Sequence, residues 1–307
     1  MSVLRRRLDA YLALRRKLGF KLQRAGHLLP DFVRYLEARR RSVITTALAL
    51  EWAKQPPDGH PAWWAQRYAM VHAFAEHLVL LDPRTQVPPR ELLPTAVRRA
   101  SPYLYSDDDI ARLMAAARAR MSALRGETYA TIIGLLAVTG MRIGEVIALD
   151  RDDVDLAAGV LVVRFGKFRR SREIPLHETA VSALRDYARL RDRSVSRVRS
   201  PSFFLSSKGT RLFYNNVHYE FHDLVRSEIV PSSGHARPRV HDLRHTFAVR
   251  TLVGWYRDGL DVDALMPRLS TYLGHVAPSS TYWYLTASPE LFALAALRVD
   301  RVHGRRS

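Results

Sequence analysis

The chain has 307 residues, a length that suits about two domains and can bury a core without staples. It contains no cysteine, which excludes disulfides and thiolate zinc sites, and no apolar run approaches the roughly 20 residues of a membrane helix. Lys and Arg number 48 against 30 Asp and Glu, a net charge of +18 carried by both halves, so a polyanion touching both is expected.

The first hundred residues hold 18 basic and 8 acidic side chains. The sequence begins with charges interleaved among apolar residues at helical spacing, without the unbroken apolar stretch of a secretory signal. A soluble, cytoplasmic protein associated with the nucleoid, and no membrane partner, is the expectation. Apolar positions recur at helical spacing in Leu8–Leu22, Leu28–Leu36, Ile44–Trp52 and Trp63–Leu81, with Pro56, Pro57, Pro61 and the stretch Asp82–Pro89 between or after them. Residues 1–96 therefore read as an all-helical domain, and residues 97–105 as a linker.

Residues 106–307 read as a second domain. Ser106 with Asp109 three positions on has the form of a capping box and predicts a helix to about Arg120. Helices are predicted over Tyr129–Val138, ending near Gly140, and over Arg142–Leu149. Val160–Phe165 and Arg172–Leu176 flank a basic turn and predict a β-hairpin. Thr179–Leu190, Asn216–Ile229, His241–Trp255, Val262–Leu273 and Pro289–Val299 complete the helices. The fold class is mostly α: a helical N-terminal domain plus a mixed helical domain with a small antiparallel sheet.

Four segments stand out in this second half. They are Thr139-Gly140-Met141-Arg142-Ile143-Gly144-Glu145, Gly166-Lys167, His241-Asp242-Leu243-Arg244-His245, and Leu273-Gly274-His275 followed by Tyr284. Singly, each is ordinary: a helix end, a solvated turn, an amphipathic helix start, a core aromatic. Together they can serve phosphoryl transfer. Attack on a phosphodiester loads negative charge onto the non-bridging oxygens, and two guanidinium forks, Arg142 and Arg244, can stabilise it. His241 and Arg244, three apart, share a helix face. Tyr284 is the candidate nucleophile, because a phenol can form an ester that keeps the energy of the broken bond. Lys167 can protonate a leaving oxygen where arginine cannot. No phosphate-binding loop of the G-x-x-x-x-G-K-[ST] type occurs, consistent with a reaction that needs no nucleotide.

The order Arg, Lys, His-x-x-Arg, His, Tyr resembles the tyrosine recombinases, or phage integrase family, over about residues 103–300. The resemblance implies that Arg142 is the first catalytic arginine and Glu145 its supporting acid. It implies that Lys167 is the general acid of the hairpin, His241 and Arg244 the second motif, and His275 a further phosphate ligand. Tyr284, nine residues after His275, would form a 3′-phosphotyrosine intermediate. Tyr282 departs from the family spacing by two residues, and Pro278 interrupts the segment. Residues 1–96 would be the DNA-clamping core-binding domain and 106–307 the catalytic domain. The implied partners are double-stranded DNA and other recombinase protomers, in a homo- or hetero-tetramer on paired sites, with Glu290–Asp300 apolar enough to dock on a neighbour. No cofactor and no metal are expected. Integration or excision of a mobile element is the expected setting.

Three alternatives remain at this stage. His241 and His245, at i and i+4 with an acid after the first, have the spacing of a zinc hydrolase motif, although Arg244 beside them opposes a cation. A catalytically inactive DNA-binding accessory or regulator of the same fold is another. A type IB topoisomerase shares similar site chemistry.

Overall fold

The structure is a computed structural model. It describes residues 2–55, 57–94, 101–164, 171–229, 237–275, 279–286 and 291–294, with the side chains at 279, 280, 283 and 286 left aside. The chain divides into two compact units, Met1–Arg99 and Ala100–Ser307.

The first unit is built from α1 (Val3–Lys17), α2 (Gln23–Ala38), α3 (Thr46–Ala53) and α4 (Pro61–Leu78). The start of α1 lies five residues before the predicted position, because Ser2 caps it by accepting the Arg5 amide at 3.0 Å. Pro61 at the first position of α4 suits a helix start, since its missing N–H has no intrahelical partner there anyway. The core joins Leu8, Phe32, Trp52 and Phe74, all fully buried. Each such side chain contributes about 1.5–3 kcal/mol on leaving water. Arg67, buried beside this core, stacks 3.8 Å from the Trp52 ring and donates to the Trp52 carbonyl.

The second unit contains α5 (Asp107–Arg120), α6 (Ala123–Thr139), α7 (Ile143–Ala148), β1 (Val154–Asp155), β2 (Val160–Val163), β3 (Arg172–Pro175), α8 (Glu178–Ser194), α9 (Tyr214–Glu228), α10 (Asp242–Arg257), α11 (Val262–Leu273) and α12 (Ser279–Tyr282). A 3-10 turn, Trp283–Thr286, follows. The capping box is formed: Ser106 accepts the Asp109 amide and Asp109 accepts the Ser106 amide, both at 3.0 Å. The three strands form one antiparallel sheet in the order β1-β2-β3, with Leu161 opposite Ile174. The predicted hairpin is thus part of a three-stranded sheet. A strand of two residues, as in β1, shows no alternation that a sequence reading could detect.

Two cores fill this unit. One packs α5, α6, α8, α9 and the sheet around Leu113, Ile133, Leu161, Phe204 and Leu224. The other packs α10 against α11 through Val249, Leu252, Met266 and Leu273, and includes Tyr284. Of the predicted helix Pro289–Val299, residues 291–294 are helical and the rest lie outside the described residues. The docking role expected for Glu290–Asp300 falls largely there too. Among the described residues no helix is long and apolar enough to cross a membrane.

Candidate active site

The site begins where α6 stops. Gly140 takes the left-handed conformation, φ 60°, and a Cβ there would sit 2.5 Å from the Phe247 ring. Only glycine fits both demands. The reversal aims the Gly140 carbonyl at α10 and leads through buried Met141 to Arg142, the residue that caps α7.

Glu145, in the first turn of α7, reaches back to that cap. Its Oε2 accepts the Arg142 amide and its Oε1 the Arg142 guanidinium, each at 2.9 Å. A third group completes the pairing. Arg172, the first residue of β3, donates to Oε1 at 3.2 Å and to Oε2 at 2.8 Å. Burial alone would raise the Glu145 pKa. The Arg172 fork, then the Arg142 amide and the two cationic charges, overcome that and hold it down at about 2.

The first turn of α10 supplies the second motif. Asp242 is fully buried and accepts from the Arg239 amide and guanidinium, both at 2.9 Å, which fixes the start of the helix. Arg244 is 1% exposed. It donates to the Gly140 carbonyl at 2.7 Å and to the Leu273 carbonyl. Burial, and then the nearby Arg142 charge, lower its pKa to about 10, so it stays charged at neutral pH.

The end of α11 gathers the three arginines. Its last carbonyls have no intrahelical donor, and the negative end of the helix dipole favours cations there. Tyr272 accepts from Arg172 Nε at 2.7 Å, Leu273 from Arg244, and Gly274 from Arg142 at 3.2 Å. Gly274, φ 65°, ends the helix, and the His275 amide closes the turn on the Ser270 carbonyl at 2.9 Å. A Cβ at Gly274 would press on the Arg172 guanidinium at 3.1 Å.

The imidazoles surround this cluster. His275 Nδ1 pairs with the Thr281 hydroxyl at 2.7 Å. Desolvation and then the Arg244 charge push His275 down to about 4. The same causes push His241 down to about 4, although the residue as a whole is exposed. Desolvation and then His241 lower His245 to about 3. These shifts keep all three rings neutral at physiological pH, able to donate one hydrogen bond and accept another. Tyr284 is 2% exposed. Its ring lies 5.3 Å from that of His245 and 6.0 Å from that of His275, and it adds to the electrostatic surroundings of Arg244. Tyr282, by contrast, is 44% exposed.

The structure therefore brings together Arg142, Glu145, His241, Arg244, His275 and Tyr284 from segments spread over more than a hundred residues. Lys167 lies outside the described residues. Reading the sequence gave Arg172 and Arg239 no role in this site, and named Asp242 and His245 only within the second motif segment and the zinc alternative. Chemically, Arg142 and Arg172 pair with Glu145 and Arg239 with Asp242, while Arg244 bonds main-chain oxygens, so four guanidiniums against two carboxylates leave excess positive charge suited to a phosphate. His241 and His245 rings cross at 4.9 Å, and among the described residues no group of three or more His, Cys, Asp or Glu could hold a metal.

The chain is similar to known proteins over nearly its whole length. The model of the phage integrase family matches residues 104–290. The chain is 44% identical to the putative integrase/recombinase y4rB of Sinorhizobium fredii (strain NBRC 101917 / NGR234), covering 98% of each chain. It is 39% identical to the putative integrase/recombinase y4rE of the same strain, covering 95% of this chain and 94% of that one. Its fold is similar to that of the Tn1549 transposon integrase in complex with circular intermediate DNA, with a TM-score of 0.67 at 17% identity, covering 96% of this chain and 99% of that one.

Proposed function

The chain belongs to the phage integrase family, and from that membership we propose that it is a site-specific tyrosine recombinase, cutting and rejoining DNA through a 3′-phosphotyrosine intermediate. The observation that carries the proposal is the meeting of Arg142 and Arg244 on successive carbonyls of one helix end, beside two neutral imidazoles and Tyr284.

In this reading the Tyr284 oxygen attacks the phosphorus and the bond to the 5′-oxygen breaks. Arg142 and Arg244 bind the non-bridging oxygens as their charge grows. Neutral His241 and His275 hydrogen-bond the phosphate; His275, its Nδ1 held by the Thr281 hydroxyl, keeps its proton, and another imidazole of the cluster takes up the single phenolic proton. Lys167 gives a proton to the departing 5′-oxygen. The reverse reaction on a second strand reseals the DNA without a nucleotide, since the ester conserves the bond energy. Residues 1–96 act as the clamping domain; the +10 net charge of the first hundred residues supports contact with phosphates there. Protomers pair, as a homo- or hetero-tetramer, on two sites. The transposon integrase of similar fold supports a mobile-element setting.

The test is covalent trapping. Nicked duplexes carrying sequences the protein selects from a randomised library are incubated with it and run under denaturing conditions. A protein–DNA adduct is expected for the wild type and for Tyr282→Phe, and none for Tyr284→Phe. Binding without any adduct in the wild type would favour an inactive accessory protein, and an adduct lost only with Tyr282→Phe would reassign the nucleophile. Relaxation of supercoiled DNA lacking selected sites would favour a topoisomerase.

A further inference from the structure

We propose that Arg172 is a positioning residue of this site: it fixes Glu145, and through Glu145 the Arg142 guanidinium, while tying β3 to the end of α11. The proposal rests on the recombinase reading for its catalytic meaning and on geometry for the rest.

The Glu145 carboxylate has about four lone-pair positions, and all are filled. Oε1 takes Arg142 and Arg172 guanidinium donors; Oε2 takes the Arg142 amide and the other Arg172 terminal nitrogen. A carboxylate held by four such bonds, at 9% side-chain exposure, cannot swing. The Arg142 fork is then set between two fixed acceptors, Glu145 and the Gly274 carbonyl.

Arg172 differs from Arg142 in how its donors are used. Nε is committed to the Tyr272 carbonyl and both terminal nitrogens to Glu145, and the side chain is only 12% exposed. Arg142, at 26% exposure, is the more open of the two. Arg172 therefore acts through its neighbours. A lysine at this position could satisfy one carboxylate oxygen or the carbonyl, never the three together.

The test compares Arg172→Ala, Arg172→Lys, Glu145→Gln and the double variant Arg172→Ala/Glu145→Gln. Cleavage rate and DNA affinity are measured on the selected nicked duplexes. A group displaced by about 1 Å loses on the order of 10²-fold in rate. Arg172→Ala is expected to lose that much in cleavage rate while its affinity for the duplex stays within about twofold, because no phosphate contact is removed. Arg172→Lys, which keeps the charge and the fold, is expected to recover only part of the rate. The double variant is expected to be no slower than Glu145→Gln alone, since Arg172 works through that carboxylate.

A second readout needs no DNA: the Glu145 carboxyl is followed by NMR titration of the free protein. Its midpoint is expected to rise in both Arg172 variants. Additive losses in the double variant, loss of affinity matching the loss of rate, or an unmoved Glu145 titration would each overturn the proposal. Should the wild type form no adduct on any duplex, the recombinase reading fails instead, and the titration still decides whether Arg172 holds Glu145.

Discussion

Arg244 donates to the main-chain oxygen of Gly140, 104 residues earlier, at 2.7 Å. The bond connects the reversal after α6 to the first turn of α10, and the second arm of the same fork reaches Leu273 at the end of α11. A single buried guanidinium thus fastens three parts of the unit.

Arg244→Ala is expected to destabilise the protein by about 3–5 kcal/mol, because it empties a buried volume and strands two carbonyls without donors. Arg244→Lys restores charge but reaches only one carbonyl, so it should fold better and still cleave at least about 10²-fold more slowly than wild type. Urea denaturation and single-turnover cleavage measure the two effects separately. Full cleavage by the lysine variant would remove Arg244 from the reaction.

Gly140→Ala meets two obstacles, a positive φ and the Phe247 ring at 2.5 Å. A loss of about 2–4 kcal/mol in unfolding free energy is expected. Adding Phe247→Ala relieves the collision but not the backbone strain. The double variant should therefore recover part of the loss relative to the sum of the singles, and strict additivity would show that the two residues do not touch.

Stability should fall on acidification in two stages. His241 and His275 have folded-state pKa values near 4 and His245 near 3, against 6.5 for the free side chain. The unfolded chain therefore binds protons first, and stability drops as pH falls from about 6.5 towards 4. Glu145, depressed to about 2 from 4.5, adds a further loss as pH falls through that lower interval. Denaturant melts at stepped pH check the profile. His245→Gln should flatten the upper stage, and an unchanged slope there would contradict the burial assigned to that ring.

Ser106→Ala should cost about 1 kcal/mol, the usual contribution of an N-cap. Asp109→Ala should cost more, about 2–3 kcal/mol, since this buried carboxylate also accepts the Tyr103 hydroxyl at 3.0 Å and pairs with Arg112. Thermal melts that ranked the two in the opposite order would show that the cap, and not the buried network, dominates at this helix start.

The parts of the fold that the sequence made legible are local. The Ser106–Asp109 box is readable because both partners lie within one turn. Most helices follow from apolar spacing, although α1 begins at Val3 instead of Leu8 because its capping serine stands at the second residue. The candidate residues Arg142, His241, Arg244, His275 and Tyr284 could be picked out because their types suit phosphoryl transfer and their order resembles that of the tyrosine recombinases. Arg172 could not. Its partners are a carboxylate 27 residues away and a main-chain oxygen 100 residues away, and a carbonyl leaves no mark in the choice of amino acid. In the sequence Arg172 is only the arginine that opens the second strand of the predicted hairpin.

Three consecutive oxygens, those of Tyr272, Leu273 and Gly274, each hold a different arginine. A displacement of that helix tip by an ångström or so would loosen all three grips in the same instant. The three guanidiniums therefore keep or lose their places as a block, not group by group.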